Sequence, residues 1–239
     1  MQTIFLYILR GVMRLLLFIV GSARFFGQEN IPAKGPFIIV TNHMSKADAP
    51  LLFLALPVPP MRIRFFAGEK WAKNIVYGPL MKAGGAVYIN RGEVDRKALK
   101  EAIEAIESGE VFGLAPEGTR SRVGALIQAK DGAAYLASRT NAPLLPVAVV
   151  NTDVVGENFK HLRRTRLVCH IGQPIQLPDL GRRARTSDLA AYTHYIMVHI
   201  AGMLPSQYHG YYKDSPALAA LLRGEDPWPY CLQAEGVQP

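Results

Sequence analysis

The sequence predicts an α/β fold, in which a mixed, largely parallel sheet is flanked by helices. Strands that alternate with helices are typical of this class, and 239 residues suit one domain with at most a small appendage. The predicted strands are short, rich in branched and aromatic residues, and punctuated by Gly or Pro. They are PFIIV (36–40), IRFFA (63–67), GAVYI (85–89), VFGLA (111–115), LLPVAVV (144–150) and RLVCHI (166–171).

The clearest helix pattern lies in EVDRKALKEAIEAIESG (93–109). Leu99, Ile103 and Ile106 share one face there, and Gly109 stands where a C-terminal cap belongs. Weaker patterns cover 50–56, 71–82, 129–140 and 187–204. We therefore expect three parts: an N-terminal helical segment (1–30), an α/β domain (31–204) and a C-terminal tail (205–239) with one short helix pattern and no assigned role.

The N-terminal stretch MQTIFLYILRGVMRLLLFIVGSARFF is strongly apolar but carries Arg10 and Arg14 at its centre. A spanning helix needs about 20 mostly apolar residues, and central arginines are costly inside a bilayer. We expect this helix to lie on a phospholipid surface with its arginines reaching headgroups. The side chains expected in the acyl boundary are Ile4, Phe5, Ile8, Leu15 and Phe18. A signal peptide and a helix buried in the protein are the alternatives.

The net charge of +8 indicates an anionic partner, either nucleic acid or a phospholipid surface. The aromatic residues form no stacking pattern of the kind that reads nucleic acid, so we expect no nucleic-acid partner. The basic runs KHLRRTR (160–166) and GRRART (181–186) suit either solvated loops or attraction to acidic headgroups. Cys169 and Cys231 are far apart and match no metal or redox spacing, which indicates inert thiols in a reducing compartment and no metal site.

A histidine and an aspartate follow the first predicted strand in TNHMSKADAP (41–50). In α/β sheets, chemistry gathers where strands end and loops begin. His43 can remove a proton from a hydroxyl near neutral pH, and Asp48 on its other ring nitrogen would fix the tautomer. Asp48 also suits the N-cap of the helix that follows, so this pair alone leaves catalysis open.

Three further stretches place functional groups beside predicted strands. In APEGTRS (115–121), Gly118 permits close backbone approach, Arg120 offers a two-pronged donor for phosphate, and the turn could equally be an ordinary one. GGAVYINR (84–91) ends on Arg91, for which a plain surface role is equally open. The prolines of APLLPVAVV (142–150) favour a structural use.

These four stretches, in this order over residues 36–150, resemble the phospholipid and glycerol acyltransferase family, and most closely its lysophosphatidic acid acyltransferases. The resemblance implies an acyl-CoA or acyl-carrier protein donor, no bound cofactor, and a lysophospholipid acceptor, by default 1-acylglycerol 3-phosphate. It implies His43 as general base and Asp48 as its orienting partner. The residues implied in the acceptor site are Arg91, Glu117, Gly118, Thr119 and Arg120, with Pro146 shaping the pocket.

The chain departs from the family pattern mildly at Ala115, Leu144 and Leu145, and nothing after about residue 175 resembles it. The implied reaction is direct attack of the acceptor hydroxyl on a thioester, because no Gly-x-Ser-x-Gly elbow supplies a nucleophile. The implied location is the cytoplasmic face of the inner membrane. Alternatives are another lyso-lipid or glycerol-phosphate acceptor, a lipid ester or thioester hydrolase, and a non-enzymatic protein that binds anionic membranes.

Overall fold

A seven-stranded sheet organises the molecule in a computed structural model that describes residues 2–57, 61–75, 77–90, 95–182 and 184–233. The strand order is β1-β7-β6-β2-β5-β3-β4, and every neighbouring pair is parallel except β6 and β7. The predicted α/β class with a mixed, largely parallel sheet is confirmed. The strands are β1 (Gly21–Phe26), β2 (Phe37–Thr41), β3 (Ile63–Gly68), β4 (Ala86–Ile89), β5 (Val111–Leu114), β6 (Leu144–Val150) and β7 (Thr165–Ile171).

Helices cover both faces of this sheet. They are α1 (Gln2–Val20), α2 (Asp48–Ala55), α3 (Tyr77–Ala83), α4 (Arg96–Glu107), α5 (Gly132–Thr140), α6 (Val155–Lys160), α7 (Thr186–Ala201), α8 (Pro216–Leu222) and α9 (Trp228–Gln233). The predicted helix within 93–109 is confirmed as α4. Asp95 caps its start by accepting from the backbone N–H of Ala98, and Gly109 follows its end with a φ of 89°.

Two apolar layers lie on opposite faces of the sheet, because side chains alternate along each strand. On one face, Ile39 of β2 and Val147 of β6 pack with Leu51 of α2, and α1 closes this layer from outside. On the other face, Ile38 and Ala148 pack beneath α4, α5 and α7. Helix α2 therefore belongs to a different layer from the helices that form most of the core.

The N-terminal segment contributes a strand to the sheet in addition to helix α1. Residues 21–26, within the segment predicted as helical, form β1, an edge strand paired in parallel with β7. Leu17 of α1 is buried against the α2 layer, whereas six apolar side chains on the outer side of α1 are 48% to 65% exposed: Ile8, Val12, Leu15, Leu16, Phe18 and Ile19. Among the described residues, no helix is both long enough and apolar enough to cross a bilayer.

The expectation that Arg10 reaches lipid headgroups is wrong. Its guanidinium instead donates to the carbonyl oxygens of Leu54 and Leu56 at 2.8 and 2.6 Å, at the carboxyl end of α2. Backbone carbonyls at a helix end lack partners within the helix, and a cation there is favourable. Arg14, one helical turn further along α1, is exposed.

Residues 205–233, predicted as a tail with no assigned role, pack into the layer that α7 covers. Tyr208 and Tyr212 are buried, as are Leu218 of α8 and Cys231 of α9, and all four belong to the same apolar cluster as α7. The described part of this segment is therefore continuous with the core of the domain.

Candidate active site

Two of the motifs singled out in the sequence meet at the carboxyl edge of the sheet. Strands β2 and β5 are parallel neighbours, so the loop that follows Thr41 and the loop that follows Leu114 emerge side by side. Strand β6 lies on the other side of β2. This edge is where open α/β sheets place their ligands.

His43 and Asp48 are in direct contact, as predicted. Nδ1 of His43 lies 2.7 Å from Oδ2 of Asp48, and the side chains are 25% and 5% exposed. An ionised carboxylate can only accept, so Nδ1 carries the proton in this contact and Nε2 keeps its lone pair. A partly exposed imidazole with a free basic nitrogen and a buried carboxylate behind it is suited to remove a proton from a hydroxyl.

The carboxylate of Asp48 is held by the turn that precedes it. Oδ2 also accepts from the backbone N–H groups of Met44 and Ser45, at 2.7 and 2.8 Å. Asp48 is the first residue of α2, but the N-cap is Ala47 and makes no side-chain capping bond. Asp48 is therefore not an N-cap. Its Oδ2 instead accepts within a tight turn and orients the His43 ring.

Glu117, predicted in the acceptor site, is bonded to the backbone in this structure. Its side chain is buried, Oε1 accepts from the backbone N–H of His43 at 2.8 Å, and Oε2 accepts from that of Ile127 at 3.1 Å. Burial raises the pKa of Glu117, although both backbone N–H groups favour its ionised form. The backbone carbonyl of His43 also accepts from Ser121 N–H at 2.8 Å. Residues of APEGTRS (115–121) therefore bond both the N–H and the carbonyl of His43.

Beyond Glu117 the same loop turns outward. Gly118 takes a left-handed conformation (φ 68°), and Thr119 and Arg120 are exposed after it. Arg122, which the sequence reasoning did not select, is exposed two residues further on. Its signal is the repeated spacing in Thr-Arg-Ser-Arg. Neither arginine is paired with any other described residue, so both guanidinium groups are free for an anion.

Two predicted site residues remain, Pro146 and Arg91. Pro146 is buried in the middle of β6, opposite Val40 of β2, so it acts on the packing of the sheet. Arg91 lies outside the described residues. Asn42, which the sequence reasoning also missed, is fully buried and exchanges two hydrogen bonds of 2.8 and 2.9 Å with the backbone of Val149. Its side-chain amide therefore bonds β6 just after the last β2–β6 pair, at the residue before His43.

In the part of the chain that the structure describes, no group of three or more His, Cys, Asp or Glu side chains is placed to hold a metal ion. The site instead combines a carboxylate-oriented imidazole with two exposed guanidinium groups on an adjoining loop. The fold is that of an open α/β protein, with this site at the carboxyl edge of its sheet.

Comparison with known proteins assigns the family. Residues 22–150 match the model of the Acyltransferase family, which is more than half of the chain. The chain belongs to this acyltransferase family, and the resemblance predicted from the motifs is confirmed.

Named relatives and a solved structure agree with this assignment. The chain is 26% identical over 183 residues to a 1-acyl-sn-glycerol-3-phosphate acyltransferase of Bacillus subtilis, covering 77% of this chain and 88% of that one. It is 33% identical over 129 residues to the enzyme of the same name from Borreliella burgdorferi, covering 53% and 50%. The crystal structure of the 1-acyl-sn-glycerophosphate acyltransferase of Thermotoga maritima has the same fold, with a TM-score of 0.64 at 24% identity, covering 82% and 76%.

Proposed function

We propose that this protein transfers a fatty acyl group from a thioester to the free hydroxyl of 1-acylglycerol 3-phosphate, giving phosphatidic acid. The observation that carries the proposal is the 2.7 Å contact between His43 Nδ1 and Asp48 Oδ2 at the carboxyl edge of the sheet. The relatives named above support the choice of acceptor. The donor is acyl-CoA or an acyl-carrier protein, because either presents the thioester that the reaction needs.

The proposed reaction has one base and no covalent enzyme intermediate. Nε2 of His43 removes the hydroxyl proton as the acceptor oxygen attacks the thioester carbonyl carbon. The C–O bond forms, the tetrahedral intermediate collapses, and the C–S bond breaks. The departing thiolate takes the proton back from the imidazolium. Asp48 stabilises that imidazolium while the proton resides on it.

The acceptor carries a phosphate, and the outward turn after Glu117 supplies its counter-charges. Arg120 and Arg122 are exposed and unpaired with other described residues, as a phosphate-binding pair must be before substrate arrives. Thr119 adds a hydroxyl on the same turn. Because Glu117 fixes both this loop and the His43 backbone, the phosphate site and the base are held by one buried carboxylate.

We further propose that α1 attaches the protein to the cytoplasmic face of the membrane. Six exposed apolar side chains on one side of a helix are unfavourable in water and suit the acyl boundary of a bilayer. Arg14 is exposed on the same helix and is available to lipid headgroups. A lipid substrate and a lipid-facing helix are consistent with each other.

The test is a direct product analysis with the purified protein in mixed micelles. Acyl-CoA and acyl-carrier protein are each offered with 1-acylglycerol 3-phosphate, glycerol 3-phosphate and lysophosphatidylcholine, and the products are identified by mass spectrometry. The proposal expects phosphatidic acid as the main product. Free fatty acid with no acylated acceptor would indicate a hydrolase, and vesicle binding without turnover would indicate a non-enzymatic role; either result overturns the proposal.

A further inference from the structure

The C-terminal segment crosses the loop that holds His43. Two backbone hydrogen bonds of 2.9 Å join them: the N–H of Leu126 donates to the carbonyl of Tyr208, and the N–H of Tyr211 donates to the carbonyl of Leu126. Leu126 is itself buried. Residues 208–212, hereafter the clasp, therefore fix the position of Leu126 by backbone pairing.

Gly210 makes this crossing possible. It has a φ of 49°, and a Cβ placed on it would lie 2.1 Å from the carbonyl oxygen of Leu126. No side chain can occupy that space, and the contact is with backbone that has no alternative rotamer. Only a glycine therefore fits at this backbone contact.

Tyr212 adds a side-chain contact to the same loop. Its ring is 2% exposed, and its hydroxyl oxygen accepts from the backbone N–H of Ala129 at 3.1 Å. Burial is the main cause that raises the pKa of Tyr212, and the nearby carboxylates of Glu117 and Asp131 raise it further. The phenol is therefore neutral and is held against the loop by its contact with Ala129.

The contacts continue without a break to the catalytic histidine. Leu126 precedes Ile127, whose N–H donates to Glu117, and Glu117 accepts in turn from the N–H of His43. At the other end of the loop, Ser121 makes two hydrogen bonds. Its hydroxyl donates to the carbonyl of Ala125 at 2.6 Å, and its backbone N–H donates to the carbonyl of His43. Two series of hydrogen bonds thus connect the residues beside Leu126 to the His43 backbone.

We propose that the clasp positions His43 for the reaction, and that Gly210 and Tyr212 are positioning residues. The clasp lies beyond residues 22–150, which match the family model. The proposal rests on the proposed function only for its activity readout. In this proposal both residues act through the loop that contains Leu126, Ala129 and Glu117, and neither contacts the reacting groups directly. Their loss should lower kcat, and KM for the acceptor should rise as well, because Arg120 and Arg122 flank Ser121 on the same loop.

The first experiment compares Gly210→Ala with Gly224→Ala. Both glycines have positive φ, of 49° and 80°, and both lie in the C-terminal segment. A Cβ on Gly224 meets no described atom within 4 Å, so Gly224→Ala carries the backbone strain without the displacement. We expect kcat to fall roughly 10- to 100-fold for Gly210→Ala, the scale of a small misplacement of a reacting group, and by less than twofold for Gly224→Ala.

The second experiment compares Tyr212→Phe with Tyr192→Phe. Each substitution removes one buried hydroxyl that bonds a backbone group, Ala129 N–H in one case and the carbonyl of Pro178 in the other. Tyr192 bonds a different loop, so it controls for lost stability. We expect similar decreases in Tm and a lower kcat for Tyr212→Phe alone.

Nuclear magnetic resonance of the His43 ring separates this inference from the proposed function. The Nδ1 proton resonance reports the contact with Asp48 whether or not the protein turns over any substrate. We expect it to shift or broaden in Gly210→Ala and to stay in place in Gly224→Ala. An unchanged resonance with unchanged kcat, or activity losses that follow Tm equally in variants and controls, would overturn the proposal.

Discussion

The guanidinium of Arg10 lies 2.6 Å from the carbonyl oxygen of Leu56, immediately after the end of α2. It also reaches the carbonyls of Leu54 and Phe53, at 2.8 and 3.4 Å, and Gln28 donates to that of Ala55 at 2.7 Å. The N-terminal segment thus supplies partners for four successive carbonyls at this helix end. Because α2 begins at Asp48, the helix that carries the proposed orienting carboxylate is held from the opposite end.

Arg10→Ala should therefore destabilise the protein by about 1–3 kcal/mol, because it leaves part-buried carbonyls without donors. Arg14→Ala is the matched control on the same helix, where the side chain is exposed. Urea denaturation of both variants measures the free energy of unfolding. Equal stability of the two variants would show that the cap contributes nothing.

Arg120→Ala should raise the apparent KM for the acceptor. A charge-assisted hydrogen bond contributes about 1.5–3 kcal/mol, so the expected increase is roughly 10- to 100-fold, with a smaller change in KM for the acyl donor. Arg139→Ala, an exposed arginine on α5, is the control. If Arg120→Ala and Arg139→Ala gave the same acceptor KM, Arg120 would not bind the phosphate.

The outer face of α1 should carry membrane binding. The double substitution Ile8→Glu and Leu15→Glu places two charges where the proposal expects the acyl boundary, since both side chains are at least 60% exposed. We expect co-sedimentation with phosphatidylglycerol vesicles to weaken by at least about tenfold with little change in Tm, since burying each apolar side chain contributes about 1.5–3 kcal/mol. Ile75→Glu, at a position 91% exposed outside α1, is the control. Undiminished sedimentation of the α1 variant would refute the attachment proposal.

His199 should make the protein less stable in mild acid. Burial lowers its pKa from 6.5 to about 4, and its Nε2 is buried without a partner among the described residues. The folded state then binds fewer protons than the unfolded state between these values. The free energy of unfolding should therefore fall by up to about 3 kcal/mol as the pH drops from 6.5 to 4.

His199→Phe keeps an aromatic ring beside Tyr195, whose ring centroid lies 4.7 Å from that of His199. It lacks the titrating group, so its stability should depend less on pH over this interval than that of the wild type. Urea denaturation between pH 4 and 7 measures both slopes. Parallel curves for the two proteins would assign the acid sensitivity to other groups.

The alternation of apolar runs with helical patterns was sufficient to predict the fold class and six of the strands in the described chain. Strand β1 was missed because GSARFF (21–26) lacks the branched apolar residues of the other strands, and its partner β7 is distant in sequence. Arg10 was misassigned for a related reason. Nothing local to α1 indicates that the carboxyl end of α2 lies against it.

In the site too, contacts between residues close in sequence were predictable, and contacts between distant residues were not. His43 and Asp48 are five residues apart in one turn, so their contact follows from spacing. The contacts of Glu117 are with backbone N–H groups of His43 and Ile127. Every residue except proline has such a group, so the sequence does not predict which ones are bonded. The clasp was missed because it depends on register between Leu126 and residues 208–211, which only the folded chain defines.

Substitution of His43 tests whether its imidazole removes the proton of the acceptor hydroxyl. Initial rates of phosphatidic acid formation are measured by mass spectrometry for wild type, His43→Ala and Asp48→Asn, after circular dichroism has established that each is folded. The general-base assignment predicts a loss of about 10²–10⁴-fold for His43→Ala, the usual contribution of a general base, and a substantial loss for Asp48→Asn. A folded His43→Ala protein that turns over at the wild-type rate would contradict it.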